Sequence, residues 1–130
     1  MHNRFAFGTT VSLSPVDAIA RVTEELQKEG FGVVTEINMQ ATLKKKIDQD
    51  IPPYVILGAC NPGLAHRALQ ADPSIGLLLP CNVVVRQDDA GVVHVEFLDP
   101  AAMFTLVDHD GIAAVADEVR ARLQRVMAAL

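Results

Sequence analysis

Two long segments near opposite ends of the 130-residue chain carry apolar residues on a single helical face. The first, residues 15–29, follows a serine N-cap at Ser14 and ends at Gly30, a residue suited to the left-handed conformation that closes a helix. The second, residues 111–129, follows Asp110, which we predict to be its N-cap. The apolar positions are Ile19, Val22 and Leu26 in the first helix, and Ile112, Val115, Ala116, Val119, Leu123, Val126, Met127 and Leu130 in the second. Because each helix has one apolar face, both must bury that face against another layer.

The other layer is predicted to be a β-sheet, because five segments are alternately or continuously apolar. These predicted strands are residues 4–13, 31–37, 54–60, 81–86 and 92–98. The continuous run 54–60 predicts a strand that is covered on both faces or lies in the centre of the sheet. The intervening sequence predicts short helices over 39–47 and from Asn61-Pro62 to about 71, a loop over 72–76 and a hairpin turn over 87–91.

The predicted order of elements is therefore β-α-β-(short α)-β-α-β-β-α. A chain of this length forms one domain, here residues 1–130. The order predicts an α+β fold in which a mostly antiparallel sheet carries the two long helices on one face.

Charge and composition exclude several classes of function. The net charge is −5, which disfavours a general nucleic-acid-binding protein. No apolar run is long enough to cross a bilayer, and the N-terminal residues Met1–Phe5 lead into Gly8 too early for a signal-peptide core. We therefore expect a cytoplasmic protein that binds neither nucleic acid nor membrane. In that reducing compartment the two cysteines are expected to be thiols.

Cys60 is the strongest candidate for chemistry. A predicted strand ends at Cys60, and a helix capped by Asn61 begins directly afterwards. Backbone N–H groups and the positive end of the helix dipole at such a position lower the pKa of a thiol and favour a nucleophilic or ligand-binding thiolate. The alternative is that Cys60 is a small packing residue, because cysteine is among the most frequently buried residue types.

Cys81 opens the fourth predicted strand, where Val83 and Val85 share its face and predict that it points into the core. If the third and fourth strands are adjacent and antiparallel, Cys60 and Cys81 share one edge of the sheet, where each is followed by an asparagine. We therefore take Cys60, Asn61, His66, Cys81 and Asn82 as candidate ligand-binding residues, with Cys60 and Cys81 as candidate catalytic residues.

The remaining polar clusters have simpler interpretations. No set of cysteines and histidines has zinc-site spacing, so no metal site is predicted. His94 with Glu96, and His109 between Asp108 and Asp110, could each pair a base with a carboxylate, but they are interpreted as solvated surface groups. The basic run 44–46 precedes acidic residues and is interpreted as a self-neutralising surface.

Three apolar segments around the cysteines resemble the bacterial and archaeal domain-of-unknown-function 302 (DUF302) family. The segments are YVILGACNP at 54–62, LAHRAL at 64–69 and IGLLLPCNVVV at 75–85. The resemblance covers nearly the whole chain, including Asp99-Pro100 and the last helix. It implies a TATA-binding-protein-like β-α-β(4)-α fold and the formation of small dimers. It carries no established activity, cofactor or catalytic residue.

Two functions from different classes follow. The first is a binding module that holds a small molecule or a partner beside the Cys60/Cys81 edge. The second is sulfur transfer or redox chemistry, with Cys60 as the attacking thiolate and Cys81 as the resolving thiol. In either case we expect a homodimer, because the run 77–79 predicts an exposed apolar patch.

Overall fold

A computed structural model describes residues 5–107 and 109–130. It contains a five-stranded sheet in the order β1-β5-β4-β3-β2, in which every neighbouring pair is antiparallel. The strands are β1 (Ala6–Val11), β2 (Gly32–Asn38), β3 (Tyr54–Cys60), β4 (Cys81–Gln87) and β5 (Val93–Leu98). The helices are α1 (Pro15–Lys28), α2 (Met39–Ile47), α3 (Pro62–Ala71), α4 (Pro100–Phe104) and α5 (Asp110–Ala128), with a 3₁₀ helix at Pro73–Leu78.

The predicted α+β fold with its antiparallel sheet is confirmed. If the short helices are counted as insertions, the order of elements is β-α-β(4)-α. A likeness to the TATA-binding protein itself stays a prediction. Two local predictions were incomplete: the predicted loop over 72–76 is a 3₁₀ helix, and helix α4 was not predicted. The first strand is shorter than predicted, and Arg4 lies outside the described residues.

The ends of the long helices show how local chemistry sets the fold. Ser14 Oγ accepts a hydrogen bond from the Asp17 N–H at 3.1 Å, and Gly30 has a φ of +85°, so both predicted ends of α1 are confirmed. The predicted cap of α5 was wrong. Asp110 is the first helical residue, and the extended residue before it, His109, accepts the Gly111 N–H at Nδ1 over 3.0 Å. Asp108, on its other side, lies outside the described residues.

One face of the sheet is covered by α1 and α5, which contact each other over the central strands. Phe7 and Phe97 stack in this core with ring centroids 5.6 Å apart. The strand residues of the covered face include Phe7, Val55, Leu57, Ala59, Cys81, Val83, Val85, Val93, Val95 and Phe97. They meet Val22 and Leu26 of α1 and Ile112, Val119 and Leu123 of α5 in one continuous cluster. The two long helices therefore lie on the same face, as predicted.

The opposite side of the central strands, here called the uncovered face, is only partly shielded. It includes Ala6 and Thr10 of β1, His94, Glu96 and Leu98 of β5, Asn82, Val84 and Arg86 of β4, and Tyr54, Ile56 and Cys60 of β3. Of the two alternatives predicted for strand 54–60, a position inside the sheet is the one found, since β3 pairs with both β4 and β2. The strand is not covered on both faces, because Tyr54 and Ile56 are half-buried while the alternate residues Val55 and Leu57 are buried. The apolar run 54–60 is continuous because its outward-facing residues belong to the uncovered face, where apolar and polar side chains are mixed. Within the described residues, no helix has both the length and the hydropathy needed to span a membrane.

Candidate functional site

The two cysteines meet at one edge of the sheet, as the strand order predicted. Strands β3 and β4 are antiparallel neighbours, and Ala59 lies directly opposite Cys81, so Cys60 is one residue away from that pair. Because successive side chains of a strand point to opposite faces, Cys60 and Cys81 leave the sheet on opposite sides. The fold thus brings their backbones together but does not aim one thiol at the other.

Burial separates the chemical properties of the two thiols. Both cysteines are free, but Cys81 is buried and Cys60 is half-buried. Burial, with a smaller contribution from nearby Cys60, raises the pKa of the Cys81 thiol to about 11. Cys81 is therefore a neutral packing residue at neutral pH, and Cys60 is the more accessible of the two.

Both polar atoms of the Asn61 side chain form hydrogen bonds with helix ends, so they do not face a ligand. Its Oδ1 accepts the Leu64 N–H at 3.2 Å and so caps α3, while its Nδ2 donates to the Glu29 carbonyl oxygen at 3.5 Å. Arg122 donates from Nη1 to the same carbonyl at 2.9 Å. Asn61 and Arg122 together satisfy the C-terminal end of α1 and tie it to α3 and α5.

The three histidines that the structure describes do not assemble with the cysteines. His66 is exposed on α3, on the side opposite the buried Leu64 and Ala68, and makes no hydrogen bond within the described residues. His94 Nε2 lies 2.8 Å from Asp88 Oδ2 in the β4–β5 hairpin, and His109 caps α5. No group of three or more His, Cys, Asp and Glu side chains among residues 5–107 and 109–130 could hold a metal ion.

The basic run is self-neutralised at its first residue, as predicted. Lys44 Nζ lies 2.8 Å from Asp48 Oδ1 and 3.2 Å from Asp50 Oδ1. These exposed ion pairs contribute little to stability and leave no concentrated positive patch at Lys44.

One concave feature of the uncovered face is a groove of about 380 Å³. Its lining residues are Phe5, Ala6, Tyr54, Asn82, Val84, Arg86, Glu96, Phe97 and Leu98. Val84 is at its centre, directly between Ile56 of β3 and Glu96 of β5. The volume lies near the lower end of the roughly 300–1,000 Å³ that is usual for ligand pockets. The groove includes the predicted site residue Asn82 and none of the other four.

An ion pair crosses the groove between two adjacent strands. Arg86 Nε donates to Glu96 Oε1, and the side chains are 31% and 15% exposed. The hydrogen bond to Glu96 is the main cause that raises the pKa of the Arg86 guanidinium, so Arg86 stays charged. Tyr54 lies directly opposite Arg86 on β3. The groove therefore places a neutralised pair of charges, a phenol and an amide among apolar side chains.

The sequence pattern did not identify Tyr54, Val84 or Arg86 as site residues. The interpretation of Glu96 as a solvated surface group was wrong, because its side chain is 15% exposed and paired with Arg86. The alternation along β4 and β5 was visible and assigned one face to the core. It could also have assigned Asn82, Val84 and Arg86 to the other face together with Glu96. The register that sets Glu96 beside Val84 arises from strand pairing, which a single sequence does not encode locally.

Comparison with known proteins gives a family and a structural relative. A family model described as "Domain of unknown function DUF302" matches residues 7–130. A crystal structure described as an uncharacterized conserved DUF302 protein from Bacillus stearothermophilus is 29% identical in sequence, with a TM-score of 0.89. That similarity covers 96% of this chain and 97% of the other. No match was found among curated proteins.

Proposed function

The chain belongs to the DUF302 family of unknown function, and we propose that it is a binding module that holds a small molecule in the groove on the uncovered face of its sheet. The observation that carries the proposal is the half-buried Arg86–Glu96 pair in an otherwise largely apolar groove. A few placed polar groups among apolar walls are typical of ligand sites, where the walls supply binding energy and the polar groups supply orientation.

The groove adjoins the Cys60/Cys81 edge that the sequence analysis selected. Asn82 follows Cys81 directly and points to the opposite side of β4, into the groove. The proposed ligand would thus lie over strands β3, β4 and β5 and reach the edge only at Asn82. Cys81 lies on the other side of β4, where it packs in the core and does not line the groove.

Tyr54 offers a direct test because it is the only tyrosine of the chain and lines the groove. Incorporation of 3-fluorotyrosine then gives a single ¹⁹F resonance that reports on the groove. We expect at least one of three bicyclic probes (neutral 2-quinolone, anionic quinoline-2-carboxylate or cationic N-methylquinolinium) to shift this resonance in a saturable manner.

Two matched variants localise the effect. Val84→Phe fills the centre of the groove and is expected to abolish the shift. Thr10→Phe places the same side chain on β1, on the same face but outside the groove lining, and is expected to leave the shift intact. If none of the three probes moves the resonance, or if Val84→Phe responds like the wild type, the proposed function is wrong.

A second candidate function is favoured by the difference between the cysteines. Cys60 is free and half-buried beside the start of α3. In a reducing cytoplasm it would be a thiol, and it could act as a nucleophile in sulfur transfer or redox sensing. The proposed resolving role of Cys81 has less support, because its thiol is buried and has a raised pKa. A reaction at Cys60 would therefore require an external second thiol.

We also propose that the chain forms a homodimer. Leu77 is 88% exposed, while Leu78 and Leu79 pack against the core. Leu77 is therefore the residue of the run 77–79 that could contact a second copy of the chain. We expect the wild type to sediment as a dimer and Leu77→Glu to have a lower sedimentation coefficient, closer to that of a monomer. The comparable change Leu106→Glu, at a residue that is 77% exposed, serves as the control. A wild-type monomer at high micromolar concentration would contradict the proposal.

A further inference from the structure

We infer that the groove selects uncharged, planar molecules that carry a hydrogen-bond acceptor and a donor side by side, such as lactams and amide-containing heterocycles. This inference rests on the proposed binding function and adds the chemical class of the ligand. It follows from three properties of the groove: its charge balance, its remaining hydrogen-bonding groups and its shape.

The charge balance disfavours ionic ligands. Arg86 and Glu96 form an ion pair on the wall of the groove, and each neutralises the other. An anion that approached Arg86 would meet the Glu96 carboxylate, and a cation that approached Glu96 would meet the Arg86 guanidinium. Both ligands would lose hydration in a half-buried site without an unpaired opposite charge to compensate. A neutral ligand avoids this loss.

The ion pair nevertheless keeps groups for a ligand. Within residues 5–107 and 109–130, Arg86 donates through Nε alone and Glu96 accepts at Oε1 alone. A guanidinium has further N–H donors on its two Nη atoms, and a carboxylate has a second oxygen. A donor edge and an acceptor oxygen therefore stand next to each other in the groove wall. A lactam, with its C=O and N–H adjacent in one plane, is complementary to both.

The shape of the groove suits a flat body with one polar edge. Asn82, Val84 and Arg86 are alternate residues of β4, so the groove extends about 13 Å along that strand. Phe5, Val84 and Leu98 supply apolar walls, and Tyr54 stands beside Arg86 at the polar end. A bicyclic ring system can lie over Val84 with its polar edge at Arg86 and Glu96.

The ¹⁹F resonance of 3-fluorotyrosine at Tyr54 also ranks ligand classes. We expect 2-quinolone to bind about tenfold more tightly than N-methyl-2-quinolone, which lacks the N–H donor, because a hydrogen bond to a charged group is lost. Quinoline-2-carboxylate and N-methylquinolinium are expected to bind wild-type protein about tenfold more weakly than 2-quinolone as well.

Removal of one charge should reverse the preference. Glu96→Gln retains a side chain of similar shape but removes the ion-pair partner of Arg86, so quinoline-2-carboxylate is expected to gain about tenfold in affinity. Glu36→Gln makes the same change at an exposed residue of β2 outside the groove lining and is expected to leave the ranking unchanged. Thermal unfolding of both variants checks that they are folded.

The outcomes separate this inference from the proposed function. If quinoline-2-carboxylate or N-methylquinolinium binds wild-type protein as tightly as 2-quinolone, or if Glu96→Gln leaves the ranking unchanged, the ligand class is wrong while the groove remains a binding site. If no probe moves the Tyr54 resonance, both the inference and the proposed function are wrong.

Discussion

Cys81 of the native protein is expected to react with iodoacetamide at pH 8 roughly tenfold or more slower than an ordinary thiol, and more slowly than Cys60, because burial raises its pKa from the ordinary 9.0 to about 11. Each unit of pKa reduces the thiolate fraction about tenfold when the pH lies below the pKa. The thiolate is the reacting species, and the buried position of Cys81 also limits access of the reagent.

Peptide mapping after timed alkylation measures both sites in one sample. Unfolding in denaturant removes the burial of Cys81, so the two rates are expected to converge there. Similar rates in the native protein would contradict the assigned burial and would restore Cys81 as a candidate for chemistry. A fast reaction at Cys60 alone would support its accessibility without establishing a catalytic role.

Gly58→Ala is expected to destabilise the protein by roughly 1–3 kcal/mol, because it overpacks the sheet surface beside the groove. A Cβ at Gly58 would lie 2.1 Å from Thr35 Oγ1 and 2.7 Å from Pro80 Cγ. Thr35 can rotate its hydroxyl away, but Pro80 Cγ can move only by the small distance that a change of ring pucker allows. The double variant Gly58→Ala/Thr35→Ala should therefore recover only part of the loss.

Gly32→Ala is the matched control, since Gly32 is also a strand glycine and a Cβ there would meet nothing within 4 Å. Urea unfolding of the variants gives the free energies of unfolding for comparison. We expect Gly32→Ala to remain within about 0.5 kcal/mol of the wild type. Equal stabilities of Gly58→Ala and Gly32→Ala would show that Thr35 and Pro80 do not pack tightly against Gly58.

Much of the fold could be predicted because its signals are local. Period-two alternation located β5, and the N-cap Ser14 with the C-terminal Gly30 located both ends of α1. The cap of α5 was less predictable because His109 and Asp110 are both polar residues that can accept a backbone N–H. The two residues differ in backbone conformation, since His109 is extended and Asp110 is the first helical residue, and the sequence pattern does not predict that difference.

The candidate site could be predicted only in part. The adjacency of Cys60 and Cys81 followed from strand order, and the burial of Cys81 followed from its alternation with Val83. The groove depends instead on which face the helices leave uncovered and on the register that brings Arg86 to Glu96. Both are properties of tertiary packing, which pattern analysis of single segments does not capture.

Native mass spectrometry of the protein, purified from its own cells without reductant, tests most directly whether a ligand occupies the groove. We predict a non-covalent adduct on the wild type that is kept in Cys60→Ser and lost in Val84→Phe, with no added mass on either cysteine under denaturing conditions. An adduct that survives denaturation and disappears in Cys60→Ser, or wild-type protein without any adduct, would contradict the proposed binding function.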